Sequence, residues 1–432
     1  MNVTLRRTLT ACLLAGSLAL ALALAAGAGS DEAESSVVGP SESIQKAINA
    51  ADPGDTIVVN GVHREDVVIR KNGIKLRGED AVIEPPDKAD SPCAPEAICI
   101  LGDMNLQTGE ITGPRVSDVS VSGFTIEAIR DGGQPAFSID VLHARNATVA
   151  ANRVIDVTGG IGTTADSIDT TIANNHVIGN PDSSAPGIRV EVSSSRTTIA
   201  NNVIRNIPEG DNAIDIAEGS ANTTVVGNHF IDDWLGLDVE DSPGTKVLSN
   251  EVSRFGIVGM YLAGQESANT QVVGNDVSGG PWGIFVTDAH QGSFVGNTIH
   301  DNCAGMFFEA FGPVGGFEVK ANTVTDNTRS CRSKSWGRNF SGIGIALLGA
   351  RGMEVSANHL SGNVPSGPTR ISGGVVVAKD PWFGVTAKPK NDSVIGNHFG
   401  RNKPDIYWDG SGTGNVFRAN LCDTSVPKRL CD

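Results

Sequence analysis

Aromatic residues are scarce, at 5% of 432 residues with two tyrosines, while glycine reaches 52. A chain of this kind has many turns, and its core is built from small aliphatic side chains rather than large rings. Positive charge is also short: 33 Lys and Arg against 49 Asp and Glu leave a net charge of −16. That balance argues against nucleic acid as the main partner, because phosphate binding needs a basic face. Beyond residue 26 no apolar run is long enough to read as a membrane span. There is no Gly-Lys pair for a phosphate loop and no Cys-x-x-Cys or His-x-x-x-His spacing for a metal. His176, His229, His359 and His398 recur along the chain, but without ligand spacing they do not make a metal stripe.

At the N-terminus Arg6 and Arg7 precede an apolar run over residues 9–26 that ends in Ala23-Leu24-Ala25 and other small residues. This pattern predicts a secretory signal peptide at 1–28, followed by a flexible linker at 29–40. Cys12 falls in that leader, and the remaining six cysteines of an exported chain suggest disulfides. Proximity in sequence favours Cys93 with Cys99, Cys303 with Cys331, and Cys422 with Cys431.

What the chain has in quantity is repetition. Copies of one pattern recur as "TTIANNHV", "TTVVGNHF", "TQVVGNDV" and "DSVIGNHF". They place an Asn at 152, 175, 202, 228, 250, 275, 297, 322, 358 and 397, mostly 22 to 27 residues apart. Between these positions lies a second element with alternating apolar residues, as in "GIRVEV", "GLDVED" and "GIFVTD". Alternation predicts short strands with one buried face, and no segment between them can hold a crossover helix. Units that cannot bury their apolar side alone must stack. Asn suits the tight bend between strands because it tolerates left-handed backbone. Pointed inward, its amide would bond to the Asn above and below as a ladder.

These repeats, with the opening "SESIQKAINAADPGDTIVV", resemble the right-handed parallel β-helix superfamily, the pectin-lyase-like fold. The resemblance implies an all-β solenoid of about 10–12 coils over residues 41–420, with an N-terminal capping helix at about 41–51. A disulfide-closed tail at 421–432 would cover the last coil. It implies no single activity, because lyases, hydrolases, epimerases and non-catalytic proteins share this scaffold.

Stacking brings equivalent residues of successive coils together. One outward column is predicted to hold Arg189, Asp215, Asp238, Tyr261, Phe285 and Phe307, and the next Glu191, Glu240, Thr287 and Glu309. Carboxylates about 4.8 Å apart on neighbouring strands repel unless a cation, a proton or an arginine compensates. Asp215, Asp238 and Glu240 are therefore candidate catalytic residues and candidate calcium ligands, with Arg189 as charge partner or base. Glu191, Tyr261, Phe285, Phe307 and Trp282 would form an exposed substrate platform. Two mechanisms fit: a calcium-dependent lyase with Arg189 as base, and a hydrolase using Asp238 and Glu240, two positions apart on one strand and so about 6.6 Å apart, as acid and base. The signature motifs of polygalacturonases, alginate epimerases and pectate lyases are absent. An enlarged coil, "TDNTRSCRSKSWGRNF", adds Arg329, Arg332, Lys334, Arg338 and Trp336. The expectation is a secreted, extracellular, monomeric protein that acts on a polysaccharide, with a non-catalytic glycan-binding or structural rod as the alternative. No nucleic acid partner and no membrane span after leader removal are expected.

Overall fold

The computed structural model describes residues 35–431, apart from 85, 87–91, 94–95, 128–136, 158, 182–184, 333–337 and 383. The predicted leader at 1–28 lies outside the described residues, as do Lys334 and Trp336. The described residues belong to one unit, Glu34–Asp432. It is an all-β, right-handed parallel β-helix with a single helix, Ile44–Ala50. Ser43 caps that helix, its hydroxyl accepting from the Lys46 N–H at 3.2 Å. Glu65 holds the cap from the first coil, accepting from Ser43 Oγ at 2.9 Å and the Ile44 N–H at 2.7 Å. Ile44 and Ile48 are buried beneath it.

Two sheets run the length of the solenoid, one of 25 strands and one of 14. A typical coil gives Thr224–Val226 and His229–Ile231 to the larger sheet and Leu235–Glu240 to the smaller. Every second side chain points inward, so Ile188, Ile214, Leu237, Met260 and Ile284 stack as one interior column. One sequence expectation changes at the N-terminal end. Ser35–Val38, placed in the flexible linker, is a strand paired in parallel with residues 56–59, because Val38 is buried against the first coil. The tail at 421–432 extends the sheets, with Ser425–Val426 paired to Ile406–Trp408. All three expected disulfides are formed. Among the described residues no helix is long and apolar enough to cross a membrane.

The repeating asparagines form the inward ladder. Asn228 Nδ2 donates to Asn250 Oδ1 at 3.0 Å and to the Ile199 carbonyl at 2.9 Å, while its own Oδ1 accepts from the Asn202 N–H and Nδ2 at 2.9 Å. The same links run from Asn152 to Asn420. The left-handed bend sits one residue earlier than expected, at Ala151, Asn174, Asn201 and Gly227. The ladder Asn is thereby freed to turn inward. A second ladder stands five residues on: Asn302, Asn327, Asn363 and Asn402, closed by Asp405.

Candidate functional site

On the outer face of the smaller sheet, register alone assembles the column. Gly162 faces Arg189, Arg189 faces Asp215, Asp215 faces Asp238, and Tyr261, Phe285 and Phe307 follow. Asp140 precedes Gly162 in the same row. What covers this row differs along its length. At its start, Val68, Cys93, Cys99 and Leu101 form a small apolar cluster. Further along, Val258, Trp282, Phe285, Phe307, Phe340 and Ile371 form a second apolar core. The stretch between them, from Asp140 to Asp238, is polar.

The second core corrects the expected platform. Phe285, Phe307 and Trp282 are 4%, 3% and 6% exposed rather than open to solvent. Phe340 of the enlarged coil stacks on Trp282 at 4.4 Å, and Trp382 of the following coil reaches Phe307 at 6.0 Å. The Cys303–Cys331 disulfide ties the enlarged coil down beside them. Aromatic area of this size is removed from water because the inserted segments bring apolar side chains to meet it. Only Tyr261 stays half-buried, with its ring 5.5 Å from Phe285.

Within the polar stretch each charge has a local cause. Gly162 leaves room, since a Cβ there would stand 2.5 Å from Asp140 Oδ1 and 3.2 Å from the Phe137 ring. The Arg189 guanidinium lies 5.6 Å from the centre of that ring and pairs with Glu191, which is 5% exposed. Burial raises Asp140 to about 6, with Arg189 pulling the other way. Burial also lifts Asp215 to about 7, helped by the negative charge of Glu191 and opposed by Arg189. Asp238 is raised furthest, to about 8, by burial and then by Asp215 and Glu240. Asn212 Nδ2 donates to Asp238 Oδ2 at 3.2 Å, while Asp238 Oδ1 is buried without a hydrogen-bond partner among the described residues. Tyr261 is pushed well above its usual value by burial and by Asp238. Glu240 stands exposed at the strand end.

Asp140 and Asn212 were not singled out from sequence; their strands pair in register with the column, and that is the signal that could have found them. Glu309, named in the second column, is fully buried and raised to about 10 by burial and by the neighbouring Asp380. Among the described residues no three Asp, Glu, His or Cys side chains stand together as a metal site needs. With no cation bound, protons on the raised carboxyls and the charge of Arg189 would offset the column.

These shifts set the pH dependence of stability. Between about pH 4 and 8 the folded chain keeps protons on Asp215 and Asp238 that the unfolded chain has released. Their contribution is complete below about pH 4 and is lost as pH rises to 8, at no more than about 1.4 kcal/mol per pH unit per carboxyl. Urea unfolding at pH 5, 6.5 and 8 measures it. Asp238→Asn should flatten the decline relative to the parent; an unchanged slope contradicts the assignment.

A solenoid of parallel coils with a polar stretch on one sheet defines a β-helix protein with a single candidate face. The chain belongs to the family described as the right handed beta helix region, whose model matches residues 50–230 and 212–381. A search of curated proteins finds no significant match. Among solved structures it is similar to the catalytic unit of a thermostable alpha-1,3-glucanase from Streptomyces thermodiastaticus. That likeness has 16% identity and TM-score 0.54, and covers 93% of this chain and 71% of that one. The Azotobacter vinelandii mannuronan C-5 epimerase A-module matches at 16% identity and TM-score 0.52, covering 86% and 94%. A surface adhesin of Streptococcus pneumoniae matches at 15% identity and TM-score 0.52, covering 87% of each chain. At these identities the likeness is one of fold.

Proposed function

We propose that this is a secreted, carbohydrate-active β-helix protein that hydrolyses an extracellular polysaccharide at the polar stretch from Asp140 to Asp238. One observation carries the reading: Asp215 and Asp238 are register neighbours with carboxyls raised to about 7 and 8. At neutral pH one holds a proton while the other gives its proton up readily, the division of labour between general acid and nucleophile in a retaining glycosidase. The acid then serves as base for the water that releases the glycosyl-enzyme. Neighbouring strands lie about 4.8 Å apart, close to the about 5–5.5 Å carboxyl separation of retaining glycosidases. Asp215 is thus a better partner for Asp238 than the exposed Glu240. Arg189 serves as a charge partner rather than a base, because a guanidinium keeps its proton and this one is engaged by Glu191 and Phe137. The glucanase and epimerase relatives give precedent for glycan chemistry on this fold; the three disulfides and the N-terminal leader pattern support export.

The test is product analysis with purified protein on neutral and acidic glycans, with Ca²⁺ or with chelator. New reducing ends without ultraviolet-absorbing products, and indifference to chelator, are expected. Absorbing unsaturated ends would establish a lyase instead, and calcium-dependent turnover would restore a cation to the acidic column. Silence across the panel would favour the non-catalytic rod.

A further inference from the structure

A cleft of about 470 Å³ lies away from the acidic column, at the turn that follows the strand Ala304–Glu309. Its volume falls within the about 300–1,000 Å³ of small-ligand sites. Phe311, Pro313, Val385 and Ala387 line it with apolar surface, and Arg351 is the one charged lining residue among the described residues. Phe311 is 44% exposed. Backbone pairing sets Lys390 beside Arg351 on the next coil, and both side chains are exposed. Among the described residues Arg351 forms no ion pair. Of the acids of the neighbouring turns, Glu309 is fully buried, and Asp288 Oδ1 accepts the Gly312 N–H.

Two adjacent cations beside an exposed ring, on a chain of net charge −16, are placed to recognise an anion attached to a flat apolar body. We infer that this cleft binds an anionic sugar unit, one bearing a carboxylate or a sulfate, with Arg351 and Lys390 on the anion and Phe311 against the ring. The inference rests on the glycan-directed reading above. It extends that reading by placing a subsite three to five strand steps from Asp238, about 14–24 Å along the axis. A chain lying along the solenoid would reach both places.

The test is calorimetric binding of oligogalacturonate, of a sulfated galactan oligomer and of a neutral glucan oligomer to the full protein. The anionic oligomers should bind at least about tenfold more tightly than the glucan. Arg351→Ala and Lys390→Ala should each abolish most of that preference and reduce its salt dependence, with Arg351→Lys retaining part of it. Comparing the uronate with the sulfated oligomer tells which anion is taken. Equal binding by the parent and Arg351→Ala overturns the inference, and leaves hydrolysis at Asp238 standing if reducing ends still appear. Binding that needs Arg351 without any turnover upholds the subsite and overturns the hydrolase.

Discussion

Asn228→Leu is expected to lower the unfolding free energy by about 3–5 kcal/mol. Leucine has the same branched four-atom side chain but supplies neither the acceptor nor the donors of the amide. Two buried donors on Asn202, its backbone N–H and its Nδ2, would lose the oxygen they share at 2.9 Å. The Ile199 carbonyl would lose the donor 2.9 Å away. A buried polar group without a partner costs about 1–3 kcal/mol, and Asn228 is fully buried, so water has no route in to replace the lost bonds. Asn420→Leu, at the end of the same ladder, strands the two donors of Asn397 and the Val394 carbonyl, but at 5% exposed it lies where water can replace lost bonds and should cost less. Urea unfolding of both variants measures the difference. Equal, small losses would mean that the ladder relaxes around a missing rung.

Asp238→Asn should lower turnover by about 10²–10⁴ on whatever glycan the parent cleaves, the usual loss when a general acid or base is removed. The same change should leave the fold intact or firmer at pH 8. An amide has the shape of a protonated carboxyl, and Asp238 holds its proton to about 8 already. The contact with Asn212 at 3.2 Å can persist with the amide oxygen as acceptor. Asp215→Asn should be comparably damaging, and the double variant little worse than either, because the losses of an acid and a nucleophile that act together are not additive. Loss of activity with unchanged unfolding separates a chemical role from a structural one. Full activity in either single variant would move the reaction away from this pair.

Much of this was open to reading in the chain itself. The Asn pattern and the alternating strands are local, so the coil, the ladder and the outward column from Arg189 to Phe307 follow from spacing. Burial of that column does not. Phe285 and Phe307 read as exposed because they alternate with inward residues. They are covered by Phe340 and Trp382, side chains brought from later coils by insertions whose landing place no spacing reports. The raised pKa values of Asp215 and Asp238 depend likewise on how much water the assembled face excludes. The second ladder was legible, since Asn302, Asn327, Asn363 and Asn402 each stand five residues after a ladder Asn. It was hidden by beginning only part-way along the chain and by ending on an aspartate.

That constant step of five carries a consequence for how such a chain can be lengthened. From Asn297 to Asn397 the coils grow from 25 to 36 and 39 residues, yet the interval between the two rows of amides never changes. All of the growth falls after the second amide. Peptides grafted between Arg332 and Asn339, clear of Cys331 and Phe340, should therefore be accommodated, whereas a single residue inserted between Asn322 and Asn327 would throw both rows out of step. The chain behaves as a ruler with blank margins: the graduated part is closed to editing, and new surface is written outside it.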